Sequence, residues 1–372
     1  MNKIPFLEKY YNQRSIGGVR VPAIVSVGLA SLPYRFTQKE IMNLTRQLFE
    51  NDYDDIDRLL RIFSNGQIES RCFVQPLEWY IQKHSFSEKN DLYIECAVRY
   101  GAEAIEQCLK QQNIDYKDIE AIFYISSTGI ATPSIEARIM NQLPFSAHAK
   151  RIPIWGLGCA GGAAGLARAF EYCRAYPKAK VIVLAVEFCS LTFQLDDHSK
   201  SNFIGTSLFA DGAGCVCVAG DNVLLSDSPP SIMDVQSTLM PHSEDVMGWD
   251  IKDQGFYVVF SKDIPSIIRK SFKEMVASFL QKHRLTVEDI HHFIVHPGGK
   301  KVLDAYRDSL QLSHDQIKHS VEVLKHYGNM SSVTVYVVLQ KFMKQRIKKG
   351  EIGLMVALGP GFSCELLLLE WR

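Results

Sequence analysis

Two stretches of this chain repeat one another at an offset of 170 residues, and that repetition limits the fold more than any other feature. In the first, a helical pattern (AIEQCLKQQ) leads into Ile114-Asp115-Tyr116-Lys117-Asp118-Ile119 and then the apolar run Ala121–Ser126. In the second, MVASFLQKH leads into Leu285-Thr286-Val287-Glu288-Asp289-Ile290 and the run His292–His296. The likeness continues downstream, because 33 positions separate Ser126 from Cys159 and 33 separate His296 from Asn329. Gly158-Cys159 opens a helical stretch followed by the apolar run Val181–Glu187. Gly328-Asn329 opens another, followed by Ile352–Leu358. Short apolar runs after turns read as buried strands.

Strands alternating with helices predict an α/β architecture with mainly parallel pairing. Two packed copies predict a pseudo-twofold core in which the helix starts bearing Cys159 and Asn329 approach each other. Chance similarity is the competing explanation, since α/β units share a rhythm; the equal spacings and paired Gly-X starts weigh against it. A length of 372 residues fits about two domains, and the repeat divides them at 1–220 and 221–372. A formal net charge of zero argues against a nucleic-acid partner. Nine cysteines without paired spacing read as free thiols in a reducing, cytoplasmic setting, and Cys215 and Cys217 are too close for a zinc half-site, so no metal is expected. The N-terminus lacks the features of a secretory signal. Val21–Ala30 is too short to span a bilayer and reads as a buried strand.

Cys159 lies within Gly156-Leu157-Gly158-Cys159-Ala160-Gly161-Gly162, where small residues leave space beside the thiol. A cysteine at a helix start has its thiolate stabilised by unpaired N–H groups, which lowers its pKa. Read alone, Cys159 is explained equally well as a small residue at a tight helix crossing. His296 ends a strand ahead of Pro297-Gly298-Gly299, a place where α/β folds put chemistry, and an imidazole there can pair with a thiolate. Asn329 is either an ordinary helix cap or, beside a histidine, one of two donors to a developing oxyanion. The order Cys, His, Asn also occurs in papain-like proteases, but the local signature of their cysteine is absent.

The set GCAGG, HPGG, YGNMSS and Gly359-Pro360-Gly361-Phe362 resembles the chalcone synthase family, the type III polyketide synthases, across nearly the whole chain. The resemblance implies a thiolase-like fold with two pseudo-twofold halves in a layered α-β-α-β-α core. It implies a homodimer acting on an acyl-CoA starter and malonyl-CoA, with no metal and no redox cofactor. Cys159 would carry the acyl group, and His296 and Asn329 would stabilise the enolate left when malonyl-CoA loses carbon dioxide. Condensation would repeat, ending in an alkylpyrone or alkylresorcinol-like product. Related condensing enzymes, such as ketoacyl-ACP synthase III and hydroxymethylglutaryl-CoA synthase, rank second because HPGG is not their usual histidine motif. A non-catalytic acyl-CoA-binding paralogue is disfavoured by the intact Cys, His and Asn.

The same resemblance assigns a substrate pocket. Phe209 matches a phenylalanine beside the decarboxylating malonyl group. Val258 occupies the place of a second phenylalanine, a smaller side chain that would widen the channel unless Phe256 or Phe260 fills the gap. Ser127, Thr132, Cys189 and Thr192 are further pocket positions, all small, which implies room for a long or bulky starter. Gly359, Pro360 and Gly361 border the pocket. Thr132 matches a position that reaches the partner subunit's cavity. Arg58 and Arg61 match basic residues that meet CoA phosphates, although a third such position is Asn65 here; a solvated helix face explains them as well.

Overall fold

The computed structural model describes residues 21–224 and 229–372. The segment read for a targeting signal, and residues 225–228 just past the expected boundary at 220, lie outside the described residues. The first half contains strands β1 (Ala23–Leu29), β2 (Tyr34–Thr37), β3 (Ser70–Phe73), β4 (Ile119–Ser126), β5 (Lys150–Trp155), β6 (Lys180–Phe188) and β7 (Asp211–Ala219). Its helices are α1 (Gln38–Phe49), α2 (Ile56–Asn65), α3 (Phe86–Lys110), α4 (Ile135–Met140), α5 (Gly161–Ala175) and α6 (Lys200–Leu208). The second half adds β8 (Pro230–Leu239), β9 (Met247–Lys252), β10 (Gly255–Phe260), β11 (His292–Val295), β12 (Ile352–Gly359) and β13 (Ser363–Trp371). It also holds α7 (Ile264–Gln281), α8 (Lys300–Leu310), α9 (Lys318–Tyr327) and α10 (Thr334–Met343). The outer helices begin where local chemistry starts them: a reciprocal Ser85–Glu88 capping box precedes α3, and Pro265 stands in the first turn of α7.

The duplication is visible in strand order. One sheet runs β11-β12-β13-β8-β1-β7-β6-β4-β5. Cut between β8 and β1, it yields β5-β4-β6-β7-β1 and β11-β12-β13-β8, in which β11, β12, β13 and β8 take the places of β4, β6, β7 and β1. The directions correspond: β4 is parallel to β6 and β11 to β12, while β7 and β13 run antiparallel to both neighbours. At the seam β1 meets β8 through the single pair Ala23↔Ser231. The expectation of mainly parallel pairing is therefore corrected to a mixed sheet. The repeated helix–strand units supply the parallel pairs, but β13 returns from β12 through the short turn after Gly359, and a hairpin needs no crossover.

Side-chain alternation builds the layers. On β6, Val181, Val183 and Ala185 face a central core with α5 and α10, while Ile182, Leu184 and Val186 face α3. On β12, Met355 and Ala357 face the central core and Leu354, Val356 and Leu358 face α7 and α8. The order is thus helix, sheet, central helices, sheet, helices, as the resemblance implies. The central helices approach tightly at their starts. A Cβ on Gly162 would stand 2.2 Å from Ser332 O, and Tyr336 donates to Gly162 O at 3.0 Å. Gly162→Ala is expected to destabilise the protein by about 1–3 kcal/mol through overpacking against backbone, read as a lower denaturant midpoint.

Candidate active site

Cys159 sits in a single 3-10 turn, Gly158–Ala160, just ahead of α5. The turn is pinned from three sides. Gly158 adopts φ +47°, where its missing side chain would meet Pro360 Cγ and Cδ at 2.7 Å. Its N–H donates to Ser127 Oγ at 2.8 Å. Gly359 ends β12 directly against Leu157 and Ala160. Gly361, at φ +61°, accepts Ser243 Oγ at 2.9 Å. The Gly-Pro-Gly segment, read from sequence as pocket border, props the cysteine turn and does not line the cavity beside Phe209.

Asn329 comes from the other half. Its backbone is stitched to the end of α6, with its N–H to Leu208 O at 3.0 Å and its carbonyl accepting Ala210 N at 2.9 Å. Its side-chain Oδ1 accepts Ser331 N at 2.8 Å and Thr334 Oγ1 at 3.4 Å. Those local bonds hold the amide with Nδ2 3.4 Å from Gly298 O, and Cys159 Sγ lies 3.8 Å from both Nδ2 and Oδ1. The helix-cap and functional readings of Asn329 are compatible: Oδ1 accepts Ser331 N to shape the turn, and the same carboxamide lies against the thiol.

His296 follows β11, its N–H donating to Val356 O at 2.8 Å and its carbonyl accepting Gly298 N at 3.0 Å. It is 1% exposed, and neither ring nitrogen has a hydrogen-bond partner among the described residues. Cys159 and Asn329 are thus in contact, and His296 is tied to them through Gly298. Two unpaired nitrogens on a buried ring are costly unless a ligand or reaction partner meets them.

Burial governs the charges. It pushes the Cys159 thiol up to about 11, against hydrogen bonds from Ser331 and Asn329 that act to lower it. It pushes the His296 imidazole down to about 3. The expectation of a lowered thiol pKa is corrected accordingly: Cys159 precedes the helix proper and is 8% exposed, so desolvation outweighs the helix start. Burial thus disfavours the charged form of each group. Beneath the turn lies Glu187, raised to about 7 by burial while Ser332 Oγ, Ser127 N and Thr128 Oγ1 donate to it at 2.7, 3.0 and 2.9 Å.

An apolar cavity of about 50 Å³ opens beside Phe209. Cys189, Thr192, Phe209 and Val258 line it together with Ile41, Leu44 and Leu48 of α1. The predicted widening at Val258 is offset by neighbours. Trp249 stands across the ribbon from Val258, and the Phe209 ring lies 5.9 Å from Trp249 and 5.6 Å from Phe260. Phe260, rather than Phe256, meets Phe209. Ser127 stands at the cysteine turn rather than in this cavity. Thr132 is exposed and outside it. Arg58 and Arg61 lie on the exposed face of α2, whose buried Leu60 and Phe63 pack with Phe203 of α6.

Sequence reading missed Glu187, Arg71, Asp211 and Trp249. A carboxylate inside the apolar run VIVLAVE was a usable signal for Glu187, and Asp211 sits two residues from Phe209. Arg71 and Trp249 carry no local signal. Among the described residues, no three His, Cys, Asp or Glu side chains are grouped to hold a metal ion, and no helix is long and apolar enough to cross a membrane.

Comparison with known proteins bears on this arrangement directly. The family model for the N-terminal domain of chalcone and stilbene synthases matches residues 78–222, and that for their C-terminal domain matches residues 231–371. A putative chalcone synthase of Bacillus subtilis (strain 168) is 52% identical over 359 residues, covering 94% of this chain and 98% of the relative. The 1,3,6,8-tetrahydroxynaphthalene synthase of Streptomyces peucetius subsp. caesius is 34% identical over 354 residues, with 95% and 94% covered. The crystal structure of the corresponding synthase from Streptomyces coelicolor A3(2), a bacterial type III polyketide synthase, superposes with a TM-score of 0.89 at 28% identity, covering 94% of this chain and 99% of that one. Pinned cysteine turn, facing carboxamide, buried histidine and duplicated sheet thus occur in a chain that belongs to the chalcone and stilbene synthase family, the type III polyketide synthases.

Proposed function

We propose that Cys159, His296 and Asn329 carry an iterative decarboxylative condensation of malonyl-CoA onto an acyl-CoA starter. The observation that supports it most is the Asn329 carboxamide 3.8 Å from Sγ, joined through Gly298 to a buried histidine whose ring nitrogens are unpaired among the described residues. The Cys159 proton passes to His296, and the thiolate attacks the starter's thioester carbon. The carbon–sulfur bond to CoA breaks, CoA takes the proton, and the acyl group stays on Cys159. Malonyl-CoA then binds with its thioester oxygen toward His296 and Asn329. Its carbon–carbon bond breaks, carbon dioxide leaves, and the electron pair remains as an enolate held by two donors. The enolate carbon attacks the Cys159 thioester, which releases the thiolate and yields a chain two carbons longer. Phe209 supplies an apolar wall that favours loss of a carboxylate charge.

The small side chains at Cys189 and Thr192 support an apolar acyl starter and an alkylpyrone or alkylresorcinol-like product, although the cavity they line under α1 is only about 50 Å³. Arg58 and Arg61 would meet CoA phosphates, and Thr132, exposed in the single chain, would border a second subunit in a cytoplasmic homodimer. The two halves, 1–220 and 221–372, would each contribute one side of the site. Purified protein incubated with radiolabelled malonyl-CoA and a graded panel of acyl-CoA starters tests this. Rising turnover with chain length is expected, with product masses increasing by two-carbon units. A strict preference for short or aromatic starters would contradict the chain-length reading, and use of malonyl-ACP in place of malonyl-CoA would favour a ketoacyl synthase.

A further inference from the structure

We infer that Arg71 is a positioning residue that sets Phe209 and Asn329 against one another for the decarboxylation step, an inference that rests on the function proposed for those two side chains. The last carbonyls of a helix have no partner within it. On α6 they are satisfied by an assembled group. Arg71 Nη1 donates to Thr206 O at 2.7 Å and to Phe209 O at 2.6 Å. Gln38 Nε2 donates to Ser207 O at 2.7 Å, and Asn329 N donates to Leu208 O at 3.0 Å. Arg71 Nε in turn donates to Gln38 Oε1 at 3.0 Å. One buried guanidinium therefore fixes the carbonyls on both sides of the residue to which Asn329 is stitched.

Contact with Asn329's own segment is equally close. A Cβ on Gly328 would stand 2.8 Å from Arg71 Cγ and Cδ, so the arginine stem forms the floor under the Gly328-Asn329 step. Arg71 is fully buried, and its nearby charged neighbour is Asp211, itself held by Val74 N, Ser190 N and Ser190 Oγ at 2.8, 2.8 and 2.6 Å. Burying a guanidinium is costly, and a glycine or water can close a helix end more cheaply. What the cation does here that those cannot is lock the backbone that presents both the Phe209 ring and the Asn329 carboxamide. The cysteine turn is held by a separate set, Ser127, Gly359 and Pro360, which Arg71 does not touch.

That separation makes the inference testable. In Arg71→Lys, release of labelled carbon dioxide from malonyl-CoA without starter is expected to fall about 10- to 100-fold, while the burst of CoA on acylation of Cys159 falls no more than about threefold, a small loss expected because Arg71 and Phe209 also line the cavity proposed for the starter. Gln38→Leu, which keeps the cation but frees Ser207 O and Arg71 Nε, is expected to show the same selective loss at about 3- to 10-fold. It carries the test if the lysine variant does not fold. Losses that fall equally on acylation and decarboxylation, or on neither, overturn the inference alone. Wild-type protein that is acylated yet releases no carbon dioxide overturns the proposed function and this inference with it.

Discussion

Cys159→Ala protein is expected to bind acyl-CoA and malonyl-CoA yet yield no polyketide, a loss on the order of 10⁴-fold or more. The substitution removes the atom that accepts the starter, and the Ser331 hydroxyl beside it is a far weaker nucleophile than a thiolate. The neighbouring thiol Cys189 lines the apolar cavity, and burial raises its pKa well above the ordinary thiol range. The turn should survive, because its supports are the Gly158 N–H to Ser127, the Pro360 contact and the end of β12, none of which uses the sulfur. Equilibrium binding of CoA esters paired with turnover measurements checks this. Substantial product from the variant would move the nucleophile elsewhere.

The second large effect is expected at His296. In His296→Ala, decarboxylation of malonyl-CoA should fall about 10²- to 10³-fold, the cost of one missing donor to a developing oxyanion. Alkylation of Cys159 by iodoacetamide should change as well, in a direction set by burial. Without the imidazole the thiol has no base to take its proton, and burial already holds its pKa above the ordinary thiol range. Its thiolate fraction, and with it the rate, should then rise roughly tenfold per pH unit from neutrality to about pH 10. Wild-type protein, in which thiol and imidazole exchange the proton, should react rapidly near neutral pH with a much flatter profile. Parallel profiles for the two proteins would mean that His296 does not activate the thiol.

Much of this was legible in the sequence because it is repeated there. The equal spacing from Ser126 to Cys159 and from His296 to Asn329 reflects two copies of one helix–strand–helix–strand unit, and the strand order β4-β6-β7-β1 against β11-β12-β13-β8 is its physical counterpart. The meeting of Cys159 with Asn329 followed from that symmetry. What escaped is what depends on packing across distant segments. The antiparallel returns of β7 and β13 leave no trace in a pattern of apolar runs. The thiol pKa is a matter of burial, which a helix start in sequence does not report. Trp249 fills space beside Val258 only because a ribbon places them opposite each other, and Arg71 reaches α6 from β3 across more than a hundred residues of chain. Pocket size read from Val258 alone was incomplete for the same reason: volume belongs to all the walls together.

Everything rests on the starter becoming covalently attached to one sulfur. The direct measurement is intact-protein and peptide mass spectrometry after brief incubation with a long-chain acyl-CoA, without malonyl-CoA. A mass gain of one acyl group, mapped to the peptide containing Cys159 and absent from Cys159→Ala, is the expected result. An acyl group on a different residue, or turnover to product with no acyl-enzyme at Cys159, would contradict the account.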